Sequence, residues 1–192
     1  MTREELGEQI ALGIINTGVE GGYDAVSCST AGDYPSMGIS QWEGIDGGRG
    51  DILLSYIDGG DYFAVRTYSD IEEAGELDAL SGLLESEQGQ IAQQMILAQD
   101  CTELYVDRLL DVCGFDNPYC IIYAGIWCPT SHEVVGRFLE RRRDRGIDIN
   151  DLDELHTLFK NEYAAAADCE EYAEGYANRA DGTYIYVSQL EI

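Results

Sequence analysis

Apolar residues recur at helical spacing from the start of the chain. Leu6, Ile10, Ile14 and Ile15 form one stripe, continued by Val19, behind an opening in which Thr2 and Glu5 have the spacing of a capping box. The glycine-rich stretch from Gly18 to Gly22 carries a high entropic cost in a helix, so the helix should end there with Glu20 at its C-terminal end. Val26 to Ser29 is short and β-prone, Thr30 to Asp33 reads as a turn, and Tyr34 to Trp42 reads as a returning strand despite Pro35. The Gly- and Asp-rich stretch from Glu43 to Gly60 predicts a loop around a helical piece at Asp51 to Ile57.

After Asp61 to Tyr68 the pattern turns helical, over Asp70 to Leu84, Ser86 to Val112, Pro118 to Trp127, Ser131 to Arg145 and Asp151 to Ala177. In the longest of these, Ile91, Met95, Ala98, Leu104, Val106, Leu109 and Leu110 are the expected buried positions. Alternation over Thr183 to Leu190 predicts a terminal strand or an extended tail packed on the body. The expected fold class is α+β, predominantly helical with a small β-hairpin, in a single domain over residues 1–192.

That length suffices to bury about two-thirds of the unfolded surface, so a core needs no staples. No apolar run approaches the ~20 residues of a membrane span, so no membrane insertion is expected. The formal net charge is −26, with Lys160 the single lysine. Such a surface repels nucleic acid and anionic lipid at long range, which argues against either as a direct partner. Solubility, adaptation to salt and mimicry of nucleic acid each account for the acidity. In the last case the chain would be an acidic decoy for a basic partner. The opening Met-Thr-Arg-Glu-Glu-Leu puts acidic residues where a secretory leader carries positive charge, so synthesis in the cytoplasm without a recognisable signal peptide is expected.

The six cysteines, Cys28, Cys101, Cys113, Cys120, Cys128 and Cys169, are expected to be reduced. Cys113, Cys120, Cys128 and His132 are spaced too widely for a usual zinc site, so neither metal nor cofactor is expected. Cys128 and His132, four apart, offer a thiol peptidase reading, but Pro129 spoils the helix that would align them. Arg137, Arg141, Arg142, Arg143 and Arg145 read as a solvated helix face paired with carboxylates, with a docking patch for an anionic polymer as the sharper alternative.

Glu20 draws the chemical reading. A carboxyl at the end of an apolar helix is disposed to stay protonated, because burial and the partial negative charge of the helix terminus both oppose ionisation. Cleavage of a glycosidic bond needs such an acid. Glu20-Gly21-Gly22-Tyr23-Asp24-Ala25-Val26-Ser27, followed by Gly38-Ile39-Ser40-Gln41-Trp42, resembles the pattern of soluble lytic transglycosylases and goose-type lysozymes. The second half looks most like phage tail lysozymes. The match covers about a fifth of the chain, and its halves occur in the family's order.

The resemblance implies a lysozyme-like fold with the hairpin following the catalytic helix. It also implies cleavage of the peptidoglycan glycan strand, by a monomer, as muramidase or lytic transglycosylase, with delivery to the wall by phage or by contact. It makes Glu20 the general acid and sets Gln41 and Ser40 in the cleft. Asp33 and Glu43 become candidate second carboxylates, and Ser36 a hydroxyl that orients water. An inverting hydrolysis would separate the two carboxyl groups by roughly 6.5–9.5 Å, whereas a transglycosylase needs no second carboxylate. Tyr23, Tyr34, Trp42 and Tyr123 are candidates for stacking on sugar rings. The sequence departs from the pattern at Gly21, where a polar residue is usual, and at Asp24-Ala25, where Asn-Pro often follows the tyrosine. A lysozyme-like fold without activity is the further alternative.

Overall fold

Helix α1 spans Arg3–Thr17 and starts as its sequence dictates. The Thr2 amide donates to Glu5 Oε2 at 2.7 Å and the Glu5 amide donates to Thr2 Oγ1 at 3.2 Å, so two end donors are satisfied reciprocally. Its stripe buries Leu6, Ile10 and Ile14. The computed structural model describes residues 1–17, 21–165 and 170–192. It divides into two compact units, one of Met1–Val19 with Ala98–Ile192, the other of Glu20–Leu97.

The first unit is built of helices. From Cys101 the backbone runs as π-helix, over Cys101–Val106 and Arg108–Cys113, and ends at Gly114 with φ of 79°. Helix α6 spans Pro118–Arg143. It opens on Asn117, whose side chain accepts from the Tyr119 amide, with Pro118 in the first turn where its missing N–H costs nothing. Pro129 lies inside α6 and Ser131 leaves helical geometry, so the two predicted helices are one element broken where proline removes a backbone donor. Helix α7, Leu152–Leu158, is capped by Asp151 and runs into a π-helical stretch, Phe159–Tyr163.

Helix α8 spans Glu170–Ser188 and corrects the strand expected at the C-terminus. Thr183-Tyr184-Ile185-Tyr186-Val187 is β-prone by composition, yet Ala180, Thr183 and Val187 are fully buried at helical spacing. Tertiary burial overrides local propensity there. Helices α1 and α6 approach closely, since a Cβ on Gly13 would run into Ile126 and one on Gly125 into Ile10. The centre is aromatic: Trp127 lies 4.8 Å from Phe159 and 5.3 Å from Tyr163, and Phe138 lies 5.1 Å from Tyr163, ring centre to ring centre.

In the second unit a three-stranded antiparallel sheet, β1 (Val26–Cys28), β2 (Pro35–Met37) and β3 (Trp42–Glu43), replaces the expected two-stranded hairpin. The predicted strand Tyr34 to Trp42 folds back on itself, because Gly38 (φ 69°) and Gln41 (φ 53°) both adopt left-handed backbone and make a turn. Helix α2 (Arg49–Ser55) follows, then α3 (Tyr68–Glu73), α4 (Leu77–Glu85) and α5 (Glu87–Asp100). The expected helix Asp70 to Leu84 is divided at Gly75, whose φ of 71° ends α3.

The buried face of α5 differs from the expected one. Ala92, Gln93, Ile96 and Leu97 are buried, whereas Ile91 is 59% and Met95 45% exposed, as is Leu104 (46%) in the π-helical run that follows. Among the described residues no helix is long and apolar enough to cross a membrane.

Candidate functional site

The sheet sorts its side chains by the alternation of strands. Ser27 pairs with Ser36, and Ser36 with Glu43, so these three stand in a row on one face. Val26, Met37 and Trp42 form the adjacent row. Met37 and Trp42 are buried, which makes Trp42 a core residue rather than an open stacking surface. The polar row is tied together by Gln41. Its Oε1 accepts from Ser27 Oγ at 3.2 Å and lies 3.2 Å from Ser36 Oγ, whose proton also has the Gln41 backbone oxygen within 3.0 Å. The amide nitrogen of the same side chain donates to the Gly38 carbonyl at 3.1 Å. These bonds hold a non-glycine residue at positive φ, a conformation that persists only where its surroundings over-determine it.

Glu43 is half-buried at the end of the row, and Ser29 Oγ donates to its Oε1 at 2.6 Å. A hydroxyl–carboxylate bond this short orients the carboxylate. Asp33 is engaged elsewhere. Its Oδ1 accepts from both the amide and the hydroxyl of Ser69 at 3.0 Å each, at the first turn of α3. That arrangement satisfies a helix-end donor and fixes the turn, so Asp33 serves the fold and does not join the polar row.

The two halves of the sequence motif meet. Gly21 donates its amide to the Ile39 carbonyl at 3.1 Å, and Gly38 donates to the Ala25 carbonyl at 2.8 Å. A Cβ at Gly21 would sit 3.2 Å from Gln41 Nε2, which gives the departure at Gly21 a steric reason. Glu20 itself lies outside the described residues, as do Gly18 and Val19. Tyr23 is half-buried, with its hydroxyl accepting from Gln94 at 2.8 Å, while Tyr34 and Ser40 are also half-buried.

Gln93 is the residue positioning the motif that sequence reading missed. Fully buried on α5, it accepts from the Ile39 amide at 3.0 Å and donates to the carbonyls of Tyr23 at 3.1 Å and Leu84 at 2.9 Å. One side chain thus clamps both motif halves to a helix. A Cβ on Gly38 would overlap its amide, so Gly38 and Gln93 require each other. A glutamine among five in the Glu87–Asp100 stretch and its flank carries no local mark of that role. Its only signal is its place on a face whose neighbours, Ala92 and Ile96, are buried.

One further expectation is corrected, and the disfavoured thiol reading stays disfavoured. Tyr123 is fully buried in the first unit, its hydroxyl 3.4 Å from the Ala180 carbonyl, and so offers no face to a sugar. Cys128 is buried, with its thiol 3.4 Å from the Ala124 carbonyl, and desolvation pushes its pKa far above the ordinary range. Burial likewise pushes Cys113 up to about 11 and Cys120 to about 12, so these thiols stay protonated and unreactive. Within the arginine run, Arg142 pairs with Glu162 at 2.7 Å, and Arg143 donates to the Cys113 carbonyl at 2.7 Å. Both contacts are structural, in keeping with a paired helix face.

Comparison with protein-family models, with curated proteins and with solved structures returns no match.

Proposed function

We propose that the chain is a lysozyme-like glycosidase that cuts the glycan strand of peptidoglycan, with Glu20 as the general acid and Glu43 as the second carboxylate. The observation that carries this reading is the joining of the two motif halves. The backbone bonds Gly21–Ile39 and Gly38–Ala25 bring the residue after Glu20 beside the Gln41 side chain. Residues 21 and 41 are twenty apart in sequence, and only a specific fold would bring them together. The order of elements along the chain also supports it, with helix α1, then a small antiparallel sheet, then helices.

In this mechanism Glu20 protonates the bridging oxygen as the bond to the sugar breaks and positive charge develops on the ring. Glu43, oriented by Ser29, activates the water that adds to the opposite face. Gln41, fixed by Ser27, Ser36 and Gly38, presents its edge to the sugar beside the scissile bond, and its rigidity keeps the cost of ordering that contact low. Asp33 has no part in the reaction.

The test is Glu20→Gln, which keeps the shape and removes the proton. Clearing of a purified cell-wall suspension should fall at least about 100-fold, the usual scale of general acid catalysis, while the thermal midpoint stays that of the parent. Retained clearing by a folded Glu20→Gln chain would overturn the assignment.

A further inference from the structure

Positive charge is scarce on this chain, with 11 lysine and arginine side chains against 37 aspartates and glutamates. Most of it is engaged, as Arg66 is by Glu76 at 2.6 Å and Arg142 by Glu162 at 2.7 Å. Arg137, Arg141 and Arg145 are the exceptions: all three are exposed, and among the described residues none makes an ion pair or a side-chain hydrogen bond. They stand at successive four-residue steps. Arg137 and Arg141 belong to the C-terminal half of α6, and Arg145 to the turn that prolongs it, with its amide donating to the Arg142 carbonyl at 3.0 Å. Residues four apart share one side of a helix and rise about 6 Å, so the row is about 12 Å long and one side chain wide.

The usual reasons for surface arginines do not account for this row. Glu133 precedes Arg137 by four residues, the spacing of a helical ion pair, yet its carboxylate lies 3.8 Å from His132 instead. The negative end of a helix favours cations in its last turn, which suits Arg141, Arg142 and Arg143, but Arg137 lies before that turn. Arg142 and Arg143 of the same run are tied to Glu162 and to the Cys113 carbonyl. Their three neighbours are left to solvent in a chain with carboxylates to spare.

The shape of the row restricts what it fits. Guanidinium forks take phosphate oxygens in pairs, so three of them a helix turn apart suit phosphates repeating along a thread. A bilayer or a nucleic-acid duplex laid on the row would bring a broad anionic surface within a Debye length, about 8 Å, of the carboxylates around it. A thread avoids them. Single-stranded nucleic acid is held through bases stacked on aromatic rings, and the stretch from Glu133 to Arg145 carries one ring, Phe138, half-buried with the Arg142 guanidinium 5.0 Å from its centre. The exposed side chain three residues before Arg137 is Val134, which offers a base no ring.

We infer that Arg137, Arg141 and Arg145 form a docking strip for a linear polyol phosphate, a flexible thread of phosphodiesters joined through small uncharged polyols. Each guanidinium takes one phosphate, and the polyols lie between them. The strip belongs to the first unit and does not depend on the reaction proposed for the motif.

The test titrates the full chain into end-labelled poly(glycerol phosphate) at about 50 mM salt and follows fluorescence polarisation. Affinity should fall with salt at a log–log slope of about −2, the value for three phosphates neutralised on a single-stranded polyanion. Arg137→Gln, Arg141→Gln and Arg145→Gln should each weaken binding at least about three-fold, and the triple variant should abolish it. These side chains have no partners to lose, so the variants should keep the parental thermal midpoint. Arg3→Gln removes the same charge from a paired site and should leave the affinity within about two-fold, which separates the strip from net charge. An oligonucleotide with as many phosphates should bind more weakly than the polyol phosphate. No binding by the parent, an undiminished affinity in the folded triple variant, an equal loss in Arg3→Gln, or an oligonucleotide bound as tightly or more so would each overturn the proposal. Binding is read without cleavage, so its failure leaves the glycosidase reading untouched, and a chain that binds the thread but cuts no glycan loses only the reaction.

Discussion

The two units are held together by different forces. In the first, Trp127, Phe138, Phe159 and Tyr163 pack ring against ring, and Ile10, Ile14, Val135 and Leu155 of the same unit are apolar and buried. In the second, the motif surface is secured by side-chain amides and hydroxyls bonded to named partners: Gln93 to three backbone groups, Gln41 to Gly38 and two serines, Ser29 to Glu43. Apolar burial tolerates exchange of one side chain for another of similar volume. A hydrogen-bonded clamp does not, because each lost partner leaves a buried polar group exposed to its full desolvation cost. The aromatic centre of the first unit should therefore fail on loss of volume, and the motif surface of the second on loss of a hydrogen-bonding partner.

The largest effect expected is at Trp127. Trp127→Ala should cost about 3–5 kcal/mol, measured by urea unfolding, because it empties the centre of the aromatic cluster. Next is Gln93→Leu, which conserves volume but strips partners from Ile39 N–H and from the Tyr23 and Leu84 carbonyls; a loss of about 2–4 kcal/mol is expected. Hydrogen exchange should quicken at Ile39, and wall clearing should fall with it. Gly38→Ala should also destabilise, through both positive φ and overlap with Gln93. Combined with Gln93→Ala, its cost should be less than the sum of the two, since the smaller side chain removes the overlap. An additive double variant would break the claim that these two residues act as one clamp.

How far these differences can be read from sequence follows from the same contrast. The stripe of α1 and its capping box were legible because both are local and periodic. The order of the motif halves was legible too, and with it the neighbourhood of Gln41. On α5, by contrast, a buried glutamine inverted the apparent amphipathicity: Ile91 and Met95 looked like core, while Gln93 looked like surface. The wider π-helical turns after Asp100 then moved the buried set to Cys101, Tyr105, Val106, Leu109 and Cys113, off the 3.6-residue period. The left-handed Gln41 hid the third strand, because nothing in a glutamine announces positive φ. The role of Asp33 depended on Ser69, 36 residues away, which no local pattern links to it.

The smallest effect expected is electrostatic. Asp181 accepts from Lys160 at 2.8 and 2.9 Å and lies 2.8 Å from His156 Nε2, and the Lys160 bonds, with His156 next, hold its carboxyl below the usual range. A depressed carboxyl contributes stability that is present above its unfolded value, about 3.9, and lost as pH falls through the folded value. The group is 43% exposed, so screening limits the cost of Asp181→Asn to under about 1 kcal/mol at pH 7. That gap should close as the medium is acidified below the carboxylate range. A gap that widened in acid would reverse the sign argued for this contact.

The account centres on proton donation by Glu20 to a bridging sugar oxygen, and mass analysis of fragments released from purified peptidoglycan tests it most directly. The prediction is sugar-cut fragments with reducing ends, as expected for hydrolysis through Glu43, and none from Glu20→Gln. Released peptides with intact glycan strands, no fragments from the parent chain, or undiminished sugar cutting by Glu20→Gln would contradict it.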